Sequence, residues 1–352
     1  MKSYFIVVAI VLVAAVALIF YQYKNANTQT TKLTGLEIAK ISYGLFDKMR
    51  RPNGWYYYYE RCKEDGNFWE CRIDSDSYPQ TNAWVMLANL GLYDQTGEQK
   101  YLDNANNEMS ILMNNCKDAG NTDCLWVLVQ MAKLQKTTGN TNYLEKIKNF
   151  ADKLMEVKTE KGSMMKGIEA REFAVVYGLT GNEKYLNESL SRLKETEEYL
   201  ASDQVIYTIN GLQAKQYSCI KEIAEMEIYK VTADKIHLNN VKAFFDAADA
   251  GSHGKSFYSL PAIQPCIEVL FSLYKETGDV KYWEQAYNIT QYMITYRWDP
   301  PLEEAKKYNG DGAFLFDIYE YNNTKTLTDT GYAVYLLSMM KDTEFQIVRW
   351  NK

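Results

Sequence analysis

The chain has 352 residues, 47% of them hydrophobic and 24% charged, enough apolar material for a sizeable core and too much for a disordered chain. Its 39 Lys and Arg are outnumbered by 45 Asp and Glu, and no basic run occurs, which argues against a nucleic-acid partner. Only two histidines are present, His237 and His253, which argues against His-rich zinc catalysis.

Phe5 to Phe20 is an uninterrupted apolar run, and Tyr4 and Tyr21 extend it to 18 residues. As a helix that is about 27 Å, close to the hydrocarbon thickness of a bilayer. Lys2 precedes the run, a polar stretch from Gln22 to Lys32 follows it, and no small-x-small cleavage site lies beyond it. The expectation is a retained single-pass transmembrane anchor over residues 1–24, a polar linker over 25–35, and a globular domain over 36–352 outside the cytoplasm. Six cysteines agree with that compartment. Cys62 with Cys71 and Cys116 with Cys124 are local pairs, which leaves Cys219 with Cys266, and no C-x-x-C spacing suggests a metal site. Asn187, Asn288 and Asn322 open glycosylation sequons compatible with an exported glycoprotein.

Beyond the linker one phrase recurs. It reads Leu92-Tyr-Asp-Gln-Thr-Gly-Glu-Gln-Lys-Tyr-Leu102, then Lys136-Thr-Thr-Gly-Asn-Thr-Asn-Tyr-Leu144, Tyr177-Gly-Leu-Thr-Gly-Asn-Glu-Lys-Tyr-Leu186 and Tyr274-Lys-Glu-Thr-Gly-Asp-Val-Lys-Tyr-Trp283, with a degraded copy at Tyr229–Leu238. Gly97, Gly139 and Gly181 are spaced by 42 residues. Thr-Gly ends one helix in a left-handed residue, and the Asn, Asp or Glu that follows opens the next. Each phrase is therefore the turn of a helical hairpin. Helices before the turns are apolar nearly all round; helices after them carry one apolar stripe. The first kind is buried on every side and the second faces solvent, so two concentric layers follow. Inner helices are expected near 80–95, 122–137, 165–179, 212–231, 261–276 and 326–341. Outer helices are expected near 98–115, 141–157, 183–200, 235–249 and 280–297. Leu36–Arg50 supplies the sixth outer helix and packs on the last inner one. The fold class is all-α, an (α/α)6 toroid; an open superhelix is the alternative.

These turns and the alternation of layers resemble the six-hairpin glycosidase superfamily over about residues 36–342. The resemblance implies that substrates bind in a cleft at the N-terminal ends of the inner helices. It also implies membership of a group that includes glycoside hydrolases, unsaturated-uronide hydrolases, polysaccharide lyases and sugar epimerases. No catalytic motif of a single family is matched, and epimerases with paired histidines fit badly.

The connections from outer to inner helices are long and fall on one face, where function usually sits. The first contains Trp55-Tyr-Tyr-Tyr-Tyr-Glu60 and Asp74-Ser-Asp76-Ser-Tyr78. It reads as a β-hairpin pinned by Cys62–Cys71, with Trp55, Tyr58 and Tyr78 as sugar-stacking candidates and Asp76 as a cleft acid or turn former. Glu169 and Glu172 are charges on an otherwise apolar helix, cleft residues or partners of Arg171 or Lys166. Tyr207, His253 and Tyr258 are loop residues expected to line the cleft, and His237 fills the Tyr slot of the degraded repeat. The last connection holds Asn309-Gly-Asp311-Gly and Asp317, with Asp329 just inside the final inner helix as catalytic acid or N-terminal cap.

The function these residues support is carbohydrate-active, with Asp76, Glu169, Asp317 and Asp329 as candidate acid/base groups. Glycoside hydrolysis needs two carboxyls about 5–5.5 Å apart for retention or about 6.5–9.5 Å apart for inversion. A lyase-like enzyme with Tyr and Arg, and a non-catalytic toroid that binds glycan or protein, are the alternatives. The expected partners are the membrane and an oligo- or polysaccharide; no cofactor motif and no EF-hand loop is present, so neither cofactor nor metal is expected.

Overall fold

The structure is a computed structural model that describes residues 31–57, 59–65, 68–73, 79–116, 127–157, 165–201, 206–209, 212–215, 219–247, 260–297, 314 and 324–347. The apolar run Tyr4–Tyr21 lies outside these residues. No helix among the described residues is long and apolar enough to cross a membrane.

The described residues begin with strand β1 (Thr31–Thr34) and helix α1 (Gly35–Met49), followed by strands β2 (Tyr59–Asp65) and β3 (Phe68–Ile73). Next come α2 (Pro79–Thr96), α3 (Gln99–Asn115), α4 (Leu128–Thr138), α5 (Thr141–Glu156), α6 (Met165–Thr180) and α7 (Glu183–Ala201). After the strands β4 (Ile206–Ile209) and β5 (Leu212–Lys215) follow α8 (Ile220–Thr232), α9 (Lys235–Ala247), α10 (Leu260–Thr277) and α11 (Val280–Arg297). Strand β6 (Thr324–Thr326), α12 (Leu327–Met339) and β7 (Glu344–Ile347) complete the described chain. Even-numbered helices form the inner ring and odd-numbered helices the outer one.

The repeated phrase folds as its chemistry dictates. Gly97, Gly139, Gly181 and Gly278 all have positive φ, and Ala233 takes the same conformation at φ 59° in the degraded copy. The threonine before each of them donates back to the carbonyl four residues earlier, as Thr138 does to Leu134 at 2.9 Å. Its oxygen then accepts from the N–H two residues on, Asn140 in this case at 3.3 Å. Asn140, Asn182, Asp234 and Asp279 cap the next helix by accepting a backbone N–H. The tyrosine of the phrase reaches across to the preceding outer helix: Tyr143 donates to Asn106, Tyr185 to Asp152 and Tyr282 to Asp246. The repeat thus encodes both the turn and the lateral bond between outer helices.

The inner helices contact one another in the order α2, α4, α6, α8, α10, α12 and back to α2, which closes the ring. Each packs on the outer helix that follows it in sequence, except α12, whose outer partner is α1. The expected partnership of Leu36–Arg50 with the last inner helix is therefore present. Gly35 lies so near it that a Cβ would stand 2.5 Å from the Met340 carbonyl oxygen. Thr34 caps α1 through a capping box with Glu37. Strand β1 pairs antiparallel with β7, Thr34 opposite Glu344 and Thr31 opposite Ile347, so the segment before α1 is joined to the segment after α12.

Two expected inner helices start later than their pattern suggested. The second begins at Leu128, not near 122, and the fourth at Ile220, not 212. In the fourth case Leu212–Lys215 pairs with Ile206–Ile209 as a two-stranded hairpin. Asn210-Gly211 is a hairpin-turn signal between β-branched and apolar residues, and it outweighs the helical pattern. The first long connection forms the expected hairpin, with Cys62 directly opposite Cys71 and β6 added beside β2.

Helix α12 lies close against α2. A Cβ on Gly331 would meet the carbonyl carbon and oxygen of Trp84 at 2.9 Å, backbone atoms that cannot swing aside. Gly331→Ala is expected to destabilise the fold by about 1–3 kcal/mol through overpacking. Gly44, exposed on α1 with nothing within 4 Å of its Cβ position, is the control. Gly44→Ala should stabilise by about 0.5–1 kcal/mol. Denaturant midpoints of the two variants, moving in opposite directions, check this pair.

Candidate functional site

Five of the glycine or alanine turns lie at one end of the ring, where inner helices finish and outer helices begin. The opposite end carries the long connections, including β2–β3–β6, β4–β5 and the turn after α1. Inner-helix N-termini point to that elaborated end, so their unpaired N–H groups add positive partial charge there.

Below that end the ring interior is crossed by a charged and aromatic cluster. Arg171 on α6 donates from Nη2 to Glu268 Oε1 on α10 at 2.5 Å. The other oxygen of Glu268 accepts the phenol O–H of Tyr332 on α12. Helices α6 and α12 stand opposite in the ring, so these contacts pass through its centre. The Tyr332 ring stacks on Trp84 of α2 with centroids 4.2 Å apart, and Tyr335 lies one turn below. Lys133 sits 5.0 Å from the Tyr335 ring centroid and pairs with Asp94 at 3.0 Å. Burial opposes the charge of Arg171, but Glu268 outweighs it and holds the guanidinium above its usual pKa. Burial, then the neighbouring Glu268 charge, pushes the Tyr332 phenol well up. Trp84 is only half-buried, in the second turn of α2, whose N-terminus lies at the elaborated end.

Among the expected acids, Asp329 lies at that end in the first turn of α12. Its backbone N–H donates to the Thr326 hydroxyl, and the same hydroxyl donates to its carboxylate, a reciprocal cap. Its backbone carbonyl accepts from Gln264 on α10 at 2.7 Å. Glu169 is elsewhere. It faces the outer layer, with Lys166 at 3.5 Å and Arg192 of α7 at 3.3 Å, so its buried charge is answered by ion pairs rather than by a cleft. Glu172 caps α4, accepting the Val129 N–H at 2.8 Å, and burial pushes its carboxyl up to about 8.

Trp55 is half-buried in a tight turn, where its carbonyl accepts from Arg51 at 2.7 Å and its N–H donates to Asn53. Beside it is a shallow concavity lined by Arg51, Pro52, Asn53 and Tyr57, with the Arg51 guanidinium 4.3 Å from the Tyr57 centroid. Tyr207 lies in β4 opposite Ala214. Asp76, Tyr58, Tyr78, His253, Tyr258 and Asp317 lie outside the described residues. Cys219 and Cys266 form a disulfide between α8 and α10, and Cys116 is disulfide-bonded; Cys124 is outside the described residues. No group of three or more potential metal ligands occurs among the described residues.

The turn bearing Trp55 is fixed to the ring by Glu108 of α3. This fully buried carboxylate accepts from Arg50 at 2.8 Å, Tyr56 at 3.1 Å and Asn82 at 2.5 Å. Burial raises its pKa from 4.5 to about 7, with Arg50 opposing. The folded protein therefore binds this proton more tightly than the unfolded chain. The stability it contributes is complete below pH 4.5 and is lost as pH rises through about 7. Relative to Glu108→Gln, the wild type should lose up to about 3 kcal/mol between those limits. Thermal unfolding of both proteins at several pH values measures it; parallel profiles would contradict the assignment.

Glu268, Tyr332 and Trp84 were not singled out by the sequence. The same signal that marked Glu169 and Glu172, a charge inside an all-apolar helix, marks Glu268 within Ile267-Glu-Val-Leu-Phe271.

No protein-family profile matches the chain, and no curated protein matches it. Solved structures do. A family 76 glycoside hydrolase from a bovine Bacteroides thetaiotaomicron strain superposes with a TM-score of 0.63 at 14% identity, over 88% of this chain and 78% of that one. An alpha-1,6-mannanase of Salegentibacter sp., an inactive variant altered at two aspartates and bound to alpha-1,6-mannotriose, gives 0.61 at 11% identity, covering 87% and 99%. An unsaturated glucuronyl hydrolase specific for heparin gives 0.59 at 13% identity, covering 86% and 95%. The fold is thus an (α/α)6 toroid like that of these three hydrolases. The two aspartates altered in the mannanase are consecutive, and this sequence contains no consecutive pair.

Proposed function

We propose that the chain is a glycoside hydrolase-like protein, anchored in a membrane by its N-terminal apolar run, with the toroid outside the cytoplasm. The observation that carries the reading is the Arg171–Glu268–Tyr332–Trp84 cluster crossing the ring interior beneath the elaborated end of a six-hairpin toroid. A sugar ring entering from that end meets the Trp84 indole, whose face suits stacking on C–H groups. Asp329 stands at the same end, and Asp76 and Asp317 belong to the connections that lead to it. Acid/base chemistry is assigned to a pair among these three carboxyls, with the Glu268 carboxylate in the ring interior. The Cys219–Cys266 disulfide and the apolar run support the outside location.

The absence of consecutive aspartates favours a second reading, a toroid that binds glycan without cleaving it. One experiment separates the two. The full chain is assayed on alpha-1,6-manno-oligosaccharides and unsaturated uronides, for turnover and for binding. Asp76→Asn, Asp317→Asn and Asp329→Asn are expected to bind as the wild type does, with turnover reduced at least 100-fold in two of them, the scale of ~10²–10⁴ for lost acid/base catalysis. Trp84→Ala is expected to weaken binding. Binding without turnover in the wild type selects the second reading, and neither activity rejects both.

A further inference from the structure

The hairpin turns share one polar pattern, and two neighbours depart from it. Between the capping residue and the Tyr slot stand Gln99-Lys100, Thr141-Asn142 and Glu183-Lys184 in the first three turns. The α8–α9 turn has Lys235-Ile236 there, and the α10–α11 turn has Val280-Lys281. Ile236 is 62% exposed and Val280 56%, the two most exposed large hydrophobic residues among those described. Both lie at the end of the ring away from the long connections. Gly35 donates to the Thr343 carbonyl just beyond α12, and β7 lies along α11, the helix that Val280 opens, with Phe345 stacked on Tyr287 and Gln346 bonded to Gln291, so Thr31, opposite Ile347, stands beside the middle of that helix. Nine polar or small residues, Gln22–Thr30, separate Thr31 from the apolar run, a reach of at most about 30 Å.

We propose that the α8–α9 and α10–α11 turns form a membrane-contact surface, seated on the phospholipid bilayer that holds the N-terminal run, with Ile236 and Val280 at headgroup depth. The inference rests on the anchor assignment made above. Lys235 and Lys275 flank the two apolar side chains, the pattern of an interfacial contact in which stems lie along lipid and ammonium groups meet phosphates, while Lys281 is held by aspartates. Asp234, Asp279, Asp246, Glu276 and Glu284 share the surface. Asp234 and Asp279 are engaged with backbone N–H groups, and Lys281 lies 3.0 Å from Asp246 and 3.2 Å from Asp279. Two side chains make a weak contact alone. Tethering within a short reach raises their effective concentration at the bilayer, so weak contact suffices. The long-connection end then faces away from the membrane, open to a polymeric substrate.

The full chain, carrying Val280→Cys or Thr141→Cys labelled with an environment-sensitive fluorophore, is reconstituted in phosphatidylcholine–phosphatidylglycerol vesicles. Thr141 is the equivalent exposed position on the α4–α5 turn. Co-flotation tests the anchor, and quenching by lipids with a nitroxide near the headgroup tests the contact. The expected result is flotation of both proteins with several-fold stronger quenching at position 280. Flotation with equal quenching overturns the contact and leaves the anchor standing. Failure to float overturns the anchor and the contact with it. Adding Ile236→Ser to the Val280→Cys protein should weaken its quenching without altering flotation; unchanged quenching also counts against the surface.

Discussion

Glu268→Ala is expected to destabilise the protein by about 3–5 kcal/mol, because it leaves the Arg171 guanidinium charged and unpaired in the ring interior. The side chains of Arg171 and Glu268 are 11% and 9% exposed, so water cannot take over the lost partner. Tyr332 loses its acceptor in the same step. Glu268→Gln keeps the shape and one acceptor oxygen and should cost less. The double variant Arg171→Met with Glu268→Leu removes both charges, and it should recover most of the loss, since a buried ion pair contributes little over apolar side chains of like volume. Chemical unfolding of the three proteins gives the comparison. A Glu268→Ala protein as stable as the wild type would mean that the interior is wet and the cluster is not a structural pair.

Removing the Cys219–Cys266 disulfide by paired serine substitution is expected to cost about 2–4 kcal/mol. The bridge spans 47 residues of sequence and ties the N-terminal part of α8 to α10. Cys219 is the residue before α8 and sits at φ 68°, a conformation unfavourable for a side-chain-bearing residue, so the bridge also holds a backbone position the chain would otherwise leave. A reducing agent should lower the unfolding temperature of the wild type by a similar amount and leave the double-serine protein unchanged at this site. Equal unfolding temperatures for the two proteins would show that packing alone fixes the start of α8.

The toroid was legible because its signal is repeated and local. Thr-Gly-Asn encodes a turn without reference to the rest of the chain, and helix polarity encodes depth in the layers. Closure was legible from counting, because a sixth inner helix without an outer partner leaves only Leu36–Arg50 to cover it. What the sequence hid is contact at a distance. Glu268 and Arg171 are 97 residues apart, and nothing local announces that they meet across the ring. Glu169 and Glu268 look alike in sequence, each a charge within an apolar helix. One faces the outer layer and the other the interior, a difference set by helix rotation. The β4–β5 hairpin was missed although Asn210-Gly211 marked it, because the helical pattern was extended back through it from α8.

The pairing of β1 with β7 has a topological meaning. The first outer helix and the last inner helix make one hairpin whose two halves come from opposite ends of the domain, stitched by strands that lie side by side. The repeat series therefore has no true beginning. Any of the glycine turns, each joining an inner helix to the next outer one, is geometrically equivalent to the junction of β7 with β1, where Ile347 lies opposite Thr31, and a short peptide joining those two strands would make the toroid's backbone a circle. Circular permutation at Gly139 or Gly181 then leaves every interlayer contact as it is, moving only the point at which the N-terminal segment is attached. The attachment point, and with it the side of the ring held toward whatever the segment binds, is an independent variable of this architecture.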